Sequence, residues 1–239
     1  MGAIIVTGIP GVGKTTVMEA AAEKASAKIV VYGTEMFTVA SEKGLVEHRD
    51  DMRKLDPSVQ KEVQMAAAEK MAAMGDIIVD THCTIKTPKG YLPGLPAWVL
   101  EKLKPSTIVL VEADAAEIKG RRESDASRNR DADSLESIEE HQETNRRYAA
   151  SYSVLTGATV HTVYNHDGKV EDAIQQIATV LRLRHRITGE DDFSITSQQE
   201  IIDTIDRRVF SVELYAGLKE QVVQVADGEP ATMGDKLHL

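Results

Sequence analysis

A single cysteine, Cys83, rules out a disulfide within the chain and any zinc site that needs two thiolates from it. So little thiol use fits a reducing compartment. Long apolar runs are missing too. Ala3-Ile4-Ile5-Val6 and Ile108-Val109-Leu110-Val111 are typical, well short of the ~20 residues a membrane span requires. The N-terminus is apolar at once, with no basic segment before it, and does not read as a signal peptide. The Met1-Gly2 start fails as a myristoylation site because Val6 stands where Ser or Thr is required. Positive charge is in deficit, 28 Lys and Arg against 38 Asp and Glu, a net −10. That balance argues against nonspecific nucleic-acid binding, although it leaves room for a small anion in a local basic pocket. The expectation is a cytoplasmic protein with no membrane and no nucleic-acid partner. At 239 residues the chain buries roughly 70–75 % of its unfolded surface and needs no covalent staple.

What is present is an alternation of short Val/Ile runs with helical patterns. Strands are expected at 3–7, 28–32, 76–80, 107–112 and 159–164. Their apolar residues are mostly continuous, as in strands covered on both faces. Asp56-Pro57 opens a helix whose Val59, Val63, Ala67, Met71 and Met74 share one face, with Gly75 closing it. Asp167-Gly168 makes a turn before Val170, Ile174, Ile177 and Leu181 at helical spacing. Strand–helix alternation of this kind predicts a parallel sheet with helices on both sides, an α/β/α arrangement. The pattern changes near Arg182. Residues 183–239 hold 6 Lys and Arg against 11 Asp and Glu, half of the net charge. Ser197-Gln198-Gln199-Glu200 reads as a capping box ahead of Ile201, Ile205, Val209 and Val212. The expectation is a domain over 1–182 and an acidic, helical C-terminal extension over 183–239.

Gly8, Ile9, Pro10, Gly11, Val12, Gly13, Lys14 and Thr15 fit G-x-x-x-x-G-K-[ST] between an expected strand and an expected helix. Glycines let backbone N–H groups turn inward around phosphate oxygens, and the new helix adds its positive end. Lys14 brings a cation to the β- and γ-phosphates, and the Thr15 hydroxyl suits Mg²⁺. The loop names a nucleotide, not a reaction. Asp80, at the end of the strand 76–80, is a second candidate for Mg²⁺; a turn or helix cap is the plainer alternative. His82 is either a ligand contact or an ordinary strand-end histidine. Residues 121–130 hold four arginines, Arg121, Arg122, Arg128 and Arg130, in an otherwise acidic chain. Guanidinium forks on a closing loop stabilise charge on a phosphoryl group in flight, so 121–133 reads as a short lid. Interleaved acids leave a salt-bridged surface as the alternative. Arg146 and Arg147 follow on the next helix. Residues 81–96 read as a long irregular segment beside the crevice, with Cys83 as a packed residue rather than a nucleophile.

Four stretches carry a resemblance. They are the phosphate loop through Thr16; Gly44-Leu45-Val46-Glu47 with Arg49-Asp50-Asp51-Met52-Arg53-Lys54-Leu55; Val79 to Cys83 with Ile85 to Pro96; and Val154-Leu155-Thr156-Gly157-Ala158. In these the chain resembles the archaeal-type adenylate kinases, over residues 1 to about 182. The resemblance implies a P-loop nucleoside-monophosphate-kinase fold with a five-stranded parallel sheet. It implies the reaction ATP + AMP ⇌ 2 ADP with Mg²⁺, and a homo-oligomer, a trimer in this family. By resemblance, Gly8 through Thr16 hold ATP with Arg122, and Lys14, Arg128 and Arg130 are catalytic. Thr15 and Asp80 are the metal candidates read above from the phosphate loop and the strand end. Arg53 takes the AMP phosphate; Thr34, Thr81, Gly90 and Arg146 are placed on the AMP side from their positions at strand ends and crevice loops. The better-known bacterial adenylate kinases place an arginine early in the helix after strand two, where this chain has Thr38, and often carry a long, sometimes zinc-holding lid. Here the lid is short and has no cysteine. Two alternatives stay open: a kinase for CMP, UMP or GMP, and a kinase-like P-loop ATPase that acts as an assembly factor.

Overall fold

The computed structural model describes residues 3–124 and 133–185. The expected lid residues Arg128 and Arg130, and nearly all of the expected C-terminal extension, lie outside those residues. Five parallel strands form the sheet: β1 (Ile4–Gly8), β2 (Lys28–Val31), β3 (Ile77–Asp80), β6 (Thr107–Glu112) and β7 (Thr159–Tyr164), in the order β2-β3-β1-β6-β7. Each expected strand is present within one residue at either end.

The helices are α1 (Lys14–Lys24), α2 (Tyr32–Glu42), α3 (Pro57–Ala72), α4 (Ala97–Leu103), α5 (Ala115–Ser124), α6 (Leu135–Thr156) and α7 (Val170–His185), with a 3-10 turn over Arg49–Lys54. Their starts follow local chemistry. The Asp56 carboxylate accepts from the Ser58 amide at 2.9 Å with Pro57 at the first helical position, and the Ser134 hydroxyl accepts from the Ser137 amide at 3.2 Å.

Successive strand residues point to opposite faces, and the core divides accordingly. Ile5, Val79 and Ile108 pack with Val63, Ala67 and Met71 of α3, with α4 and with Tyr152 of α6. Ile4, Val6, Ile78, Val109 and Val111 pack on the other face with Val17 and Met18 of α1 and Ile174, Ile177 and Leu181 of α7. The chain runs from β1 to the edge strand β2, returns inward to β3 and then crosses past β1 to β6 and the other edge. The order therefore reverses at β1, and the crevice beyond its carboxyl end is where open parallel sheets hold ligands.

Residues 81–96, expected to be irregular, contain an antiparallel hairpin, β4 (Thr84–Thr87) and β5 (Gly90–Pro93). Its strands are short and Pro/Gly-bounded, and their support is tertiary. The Thr84 hydroxyl donates to Asn145 Oδ1 at 2.5 Å, Tyr152 donates to the Cys83 carbonyl at 2.8 Å, and Tyr148 donates to the Tyr91 carbonyl at 3.2 Å. All three partners lie on α6. Cys83 is buried, and burial pushes its thiol up to about 12, which makes it a packed side chain as expected.

After the hairpin the chain folds back so tightly at Gly94 that a Cβ there would sit 2.8 Å from the His82 carbonyl carbon and 2.9 Å from the Cys83 oxygen. Both neighbours are backbone and cannot swing aside. Gly94→Ala is expected to destabilise the fold by about 1–3 kcal/mol, read as a lower urea midpoint at unchanged slope.

Candidate functional site

The phosphate loop connects β1 to α1. Gly13, the residue before the helix, has φ +82°, and α1 starts with no side-chain cap, so its first amides stay available for an anion. Turning the loop's amides inward turns its carbonyls outward, and these are satisfied from elsewhere in the fold. The Val12 carbonyl accepts from Asn165 Nδ2 at 2.9 Å and from Arg121 Nη1 at 3.2 Å. The Pro10 carbonyl accepts from Arg122 Nε at 2.8 Å and Nη2 at 2.6 Å. Arg121 also donates to the Asn165 carbonyl at 2.8 Å and pairs with Asp167. The Val12 side chain itself is core, fully buried.

Lys14 forms an ion pair with Asp80, whose strand β3 lies directly beside β1. Burial drives the Lys14 ammonium down to about 8, while the adjacent carboxylate favours its charged form. Burial also lowers the His82 pKa, and the Lys14 charge lowers it further, so His82 is a neutral wall residue. Thr15 and Asp80 both face the same cleft. A hydroxyl and a carboxylate are hard oxygen donors of the kind Mg²⁺ takes.

That cleft holds about 550 Å³. It runs from Gly8, Lys14, Thr15, Thr16 and Arg121 across Thr81 and His82 to Tyr32, Gly33, Met36, Arg49 and Gln64. A second hollow of about 310 Å³ shares Gly33, Met36, Arg49 and Gln64 with it and adds Arg53. The Arg49 guanidinium lies against Gly33, 2.7 Å from where a Cβ would be, and makes no hydrogen bond or ion pair among the described residues. An unpaired guanidinium facing a cleft is a receptor for an anion.

Not every expected residue is in this cleft. Thr34 is exposed, and its carbonyl takes the Thr38 hydroxyl at 3.0 Å. Gly90 is the turn residue of the hairpin, with φ +114° and open space around it. Arg146 closes as a fork on Glu112, at 2.8 and 2.7 Å; the carboxylate is buried, so the arginine neutralises it instead of lining the cleft. Arg122 braces the outside of the loop and pairs with Asp133 at 2.6 Å.

The profile of a family described as an AAA domain matches residues 7–139. The chain is 53% identical over 187 residues to an adenylate kinase of Methanococcus vannielii, covering 75% of this chain and 97% of that one. It is 53% identical over 184 residues to an adenylate kinase of Methanothermobacter thermautotrophicus, covering 76% and 100%. The chain belongs to the archaeal-type adenylate kinases. Among solved structures it is similar to a shikimate kinase of Bacteroides thetaiotaomicron, with a TM-score of 0.47 and 12% identity over 76% of this chain and 98% of that one.

Two residues that line this adenylate kinase cleft, Arg49 and Gln64, and one that braces its loop from behind, Asn165, escape a reading of the sequence. Arg49 falls in a stretch where several charged residues compete for attention. Asn165 is one polar residue at the end of a strand. Gln64 left a signal: with Gln60 it places amides beside Val63, Ala67 and Met71 on the buried stripe of α3.

Exchanging Asp80 for a polyphosphate gives Lys14 several negative oxygens in place of one carboxylate. The bound pKa therefore lies above the free one. ATP binding is expected to take up close to no proton at pH 7 and a growing fraction of one between pH 8 and 9. Calorimetry at pH 9 in two buffers of different ionisation enthalpy reads this directly; identical heats there would contradict it.

Proposed function

We propose that this chain transfers the γ-phosphoryl group of ATP reversibly to AMP, giving two ADP. The observation that carries the reading is a single continuous cleft with two anion receptors, the phosphate loop with Lys14 at one end and the unpaired Arg49 at the other. A nucleotide hydrolase needs only the first. Relatives more than half identical over nearly their whole length carry the adenylate kinase name and support the same reaction.

In this reading the amides of residues 8–16 and the start of α1 hold the ATP phosphates. Lys14 leaves Asp80 for the β- and γ-phosphates. Thr15 and the freed Asp80 would hold Mg²⁺, which when bound neutralises charge on the phosphate oxygens. Arg49 holds the AMP phosphate, with Arg53 beside it in the adjoining hollow. Thr81 and His82, on the wall between the two ends, line the path along which the phosphoryl group crosses. The protein supplies position and charge and forms no covalent intermediate. Arg128 and Arg130 belong to the same proposal as lid residues that cover the transferring group.

Lys14→Ala is expected to fold and to lose at least about 10²-fold in ADP formation from ATP and AMP, by a coupled assay. Turnover within a few-fold of the unaltered chain would refute the assignment.

A homo-oligomer, a trimer by resemblance, is part of the same reading. Val154 and Leu155, in the last turn of α6, are 87% and 64% exposed, which is unusual for two adjacent large apolar residues and fits a covered surface. Light scattering is expected to give a multiple of the chain mass, and Leu155→Glu to shift it toward the monomer.

A further inference from the structure

The wall of the cleft near Arg49 carries one polar side chain whose orientation is fixed by something other than the cleft itself. Gln64 of α3 accepts through Oε1 from the indole Nε1–H of Trp98 at 2.9 Å. The indole nitrogen only donates, so the contact decides which end of the amide is oxygen. Trp98, in the first turn of α4, packs against the core, and the Lys61 ammonium lies 4.8 Å from the centre of its ring. The Gln64 backbone is held as well: its carbonyl accepts from the buried Tyr32 hydroxyl at 3.3 Å. The Gln64 NH₂ group has no hydrogen-bond partner among the described residues and is not sealed from the cleft it lines.

A glutamine that turns freely offers its donor and acceptor in either order and reads nothing. A glutamine locked by an indole offers one order only. We propose that Gln64, held in register by Trp98, reads the Watson–Crick edge of the acceptor base and selects bases that present there a ring-nitrogen acceptor beside an amino group. Adenine presents that edge as N1 and the 6-amino group, and cytosine presents it as N3 and the 4-amino group. The amide NH₂ donates to the ring nitrogen, and the second lone pair of Oε1 accepts from the amino group. Guanine and uracil present a ring N–H beside a carbonyl, so donor would meet donor and oxygen would meet oxygen. Turning the amide over to suit them would leave the indole N–H facing an NH₂ group, and this coupling carries the selectivity. Gln64 is thus a specificity residue and Trp98 its positioning residue. The inference rests on the reading that the Arg49 end of the cleft takes the acceptor nucleotide.

The test is a panel of AMP, CMP, GMP and UMP, each with ATP as donor, run on the unaltered chain and on Trp98→Phe and Gln64→Glu. The unaltered chain is expected to prefer AMP over GMP and CMP over UMP in kcat/KM. Trp98→Phe keeps an aromatic ring in place but frees the amide; both ratios are expected to fall by about 10-fold, the order of one well-made base contact. The change should appear in acceptor KM, with the KM for ATP within about two-fold of the unaltered chain. Gln64→Glu keeps the acceptor for the indole and removes the donor, so it should move both ratios the same way. It decides the question if Trp98→Phe does not fold. A tryptophan that merely supports the fold would lower all four acceptors and ATP together and leave the ratios unchanged; unchanged ratios in the folded variants overturn the proposal. If the unaltered chain phosphorylates none of the four, the assigned reaction itself fails, and the base reading with it. If it phosphorylates AMP and the ratios do not move, the base reading alone fails.

Discussion

The phosphate loop keeps its shape because its outward carbonyls are held. A loop that aims several amides at one point must aim carbonyls away from it, and in a folded interior those oxygens need donors. Here the donors are Asn165 Nδ2 and Arg121 on Val12, and Arg122 on Pro10. They come from residues more than a hundred positions along the chain, on the loop after β7 and the last turn of α5. Asn165 is in turn fixed by its own amide, which donates to the Glu112 carbonyl at 2.7 Å, and Glu112 is fixed by Arg146. The site is therefore built by the far edge of the sheet as much as by the eight residues of the motif. Arg146, whose fork never reaches the cleft, still serves it through Glu112.

The Lys14–Asp80 pair extends the argument from shape to charge. Burial works against a charged lysine and the carboxylate works for it, so without nucleotide the pair keeps the cation available and its position defined. Parallel pairing of β1 with β3, which sets Val6 opposite Asp80, puts the two groups side by side. In the proposed reaction phosphate oxygens replace the carboxylate as partner of the lysine, and Asp80 is left facing the same cleft as Thr15. One exchange of partners would thus serve both the phosphate grip and the proposed Mg²⁺ ligands.

Most of the architecture was legible in the sequence, because both-faces-buried strands and one-face-buried helices write different periods. The five strand positions, the Asp56 cap and the turn before α7 follow from local chemistry alone. The phosphate loop was equally plain, since glycine, lysine and threonine at fixed spacing have few other uses after a strand. The hairpin at 84–93 was not, because its four-residue strands are held by Tyr148, Tyr152 and Asn145 of α6, and no local period records such support. The residues proposed for the acceptor end were hidden for a related reason. Arg49 and Arg53 are alike in sequence, and only the packing of the 3-10 turn against Gly33 puts the first over the main cleft and the second in the neighbouring hollow. Gln64 acquires a defined orientation only from Trp98, which lies on another helix.

The same logic extends to Asp133, just before α6. α5 ends at Ser124, two residues after Arg122, and Asp133 lies just before the Ser134 cap of α6. Asp133 binds Arg122 at 2.6 Å and Lys86 of the hairpin at 3.3 Å. Arg122 holds the donor loop at Pro10, and the strand that bears Lys86 also bears Ile85, which lines the acceptor side. One carboxylate therefore meets the phosphate loop through Arg122, the hairpin through Lys86 and the start of α6. Asp133 is about a third exposed, so each pair contributes little stability by itself. What the arrangement fixes is geometry. Two pairs that share one carboxylate favour one arrangement of the phosphate loop against the hairpin, and an exposed lysine yields to other arrangements at small cost.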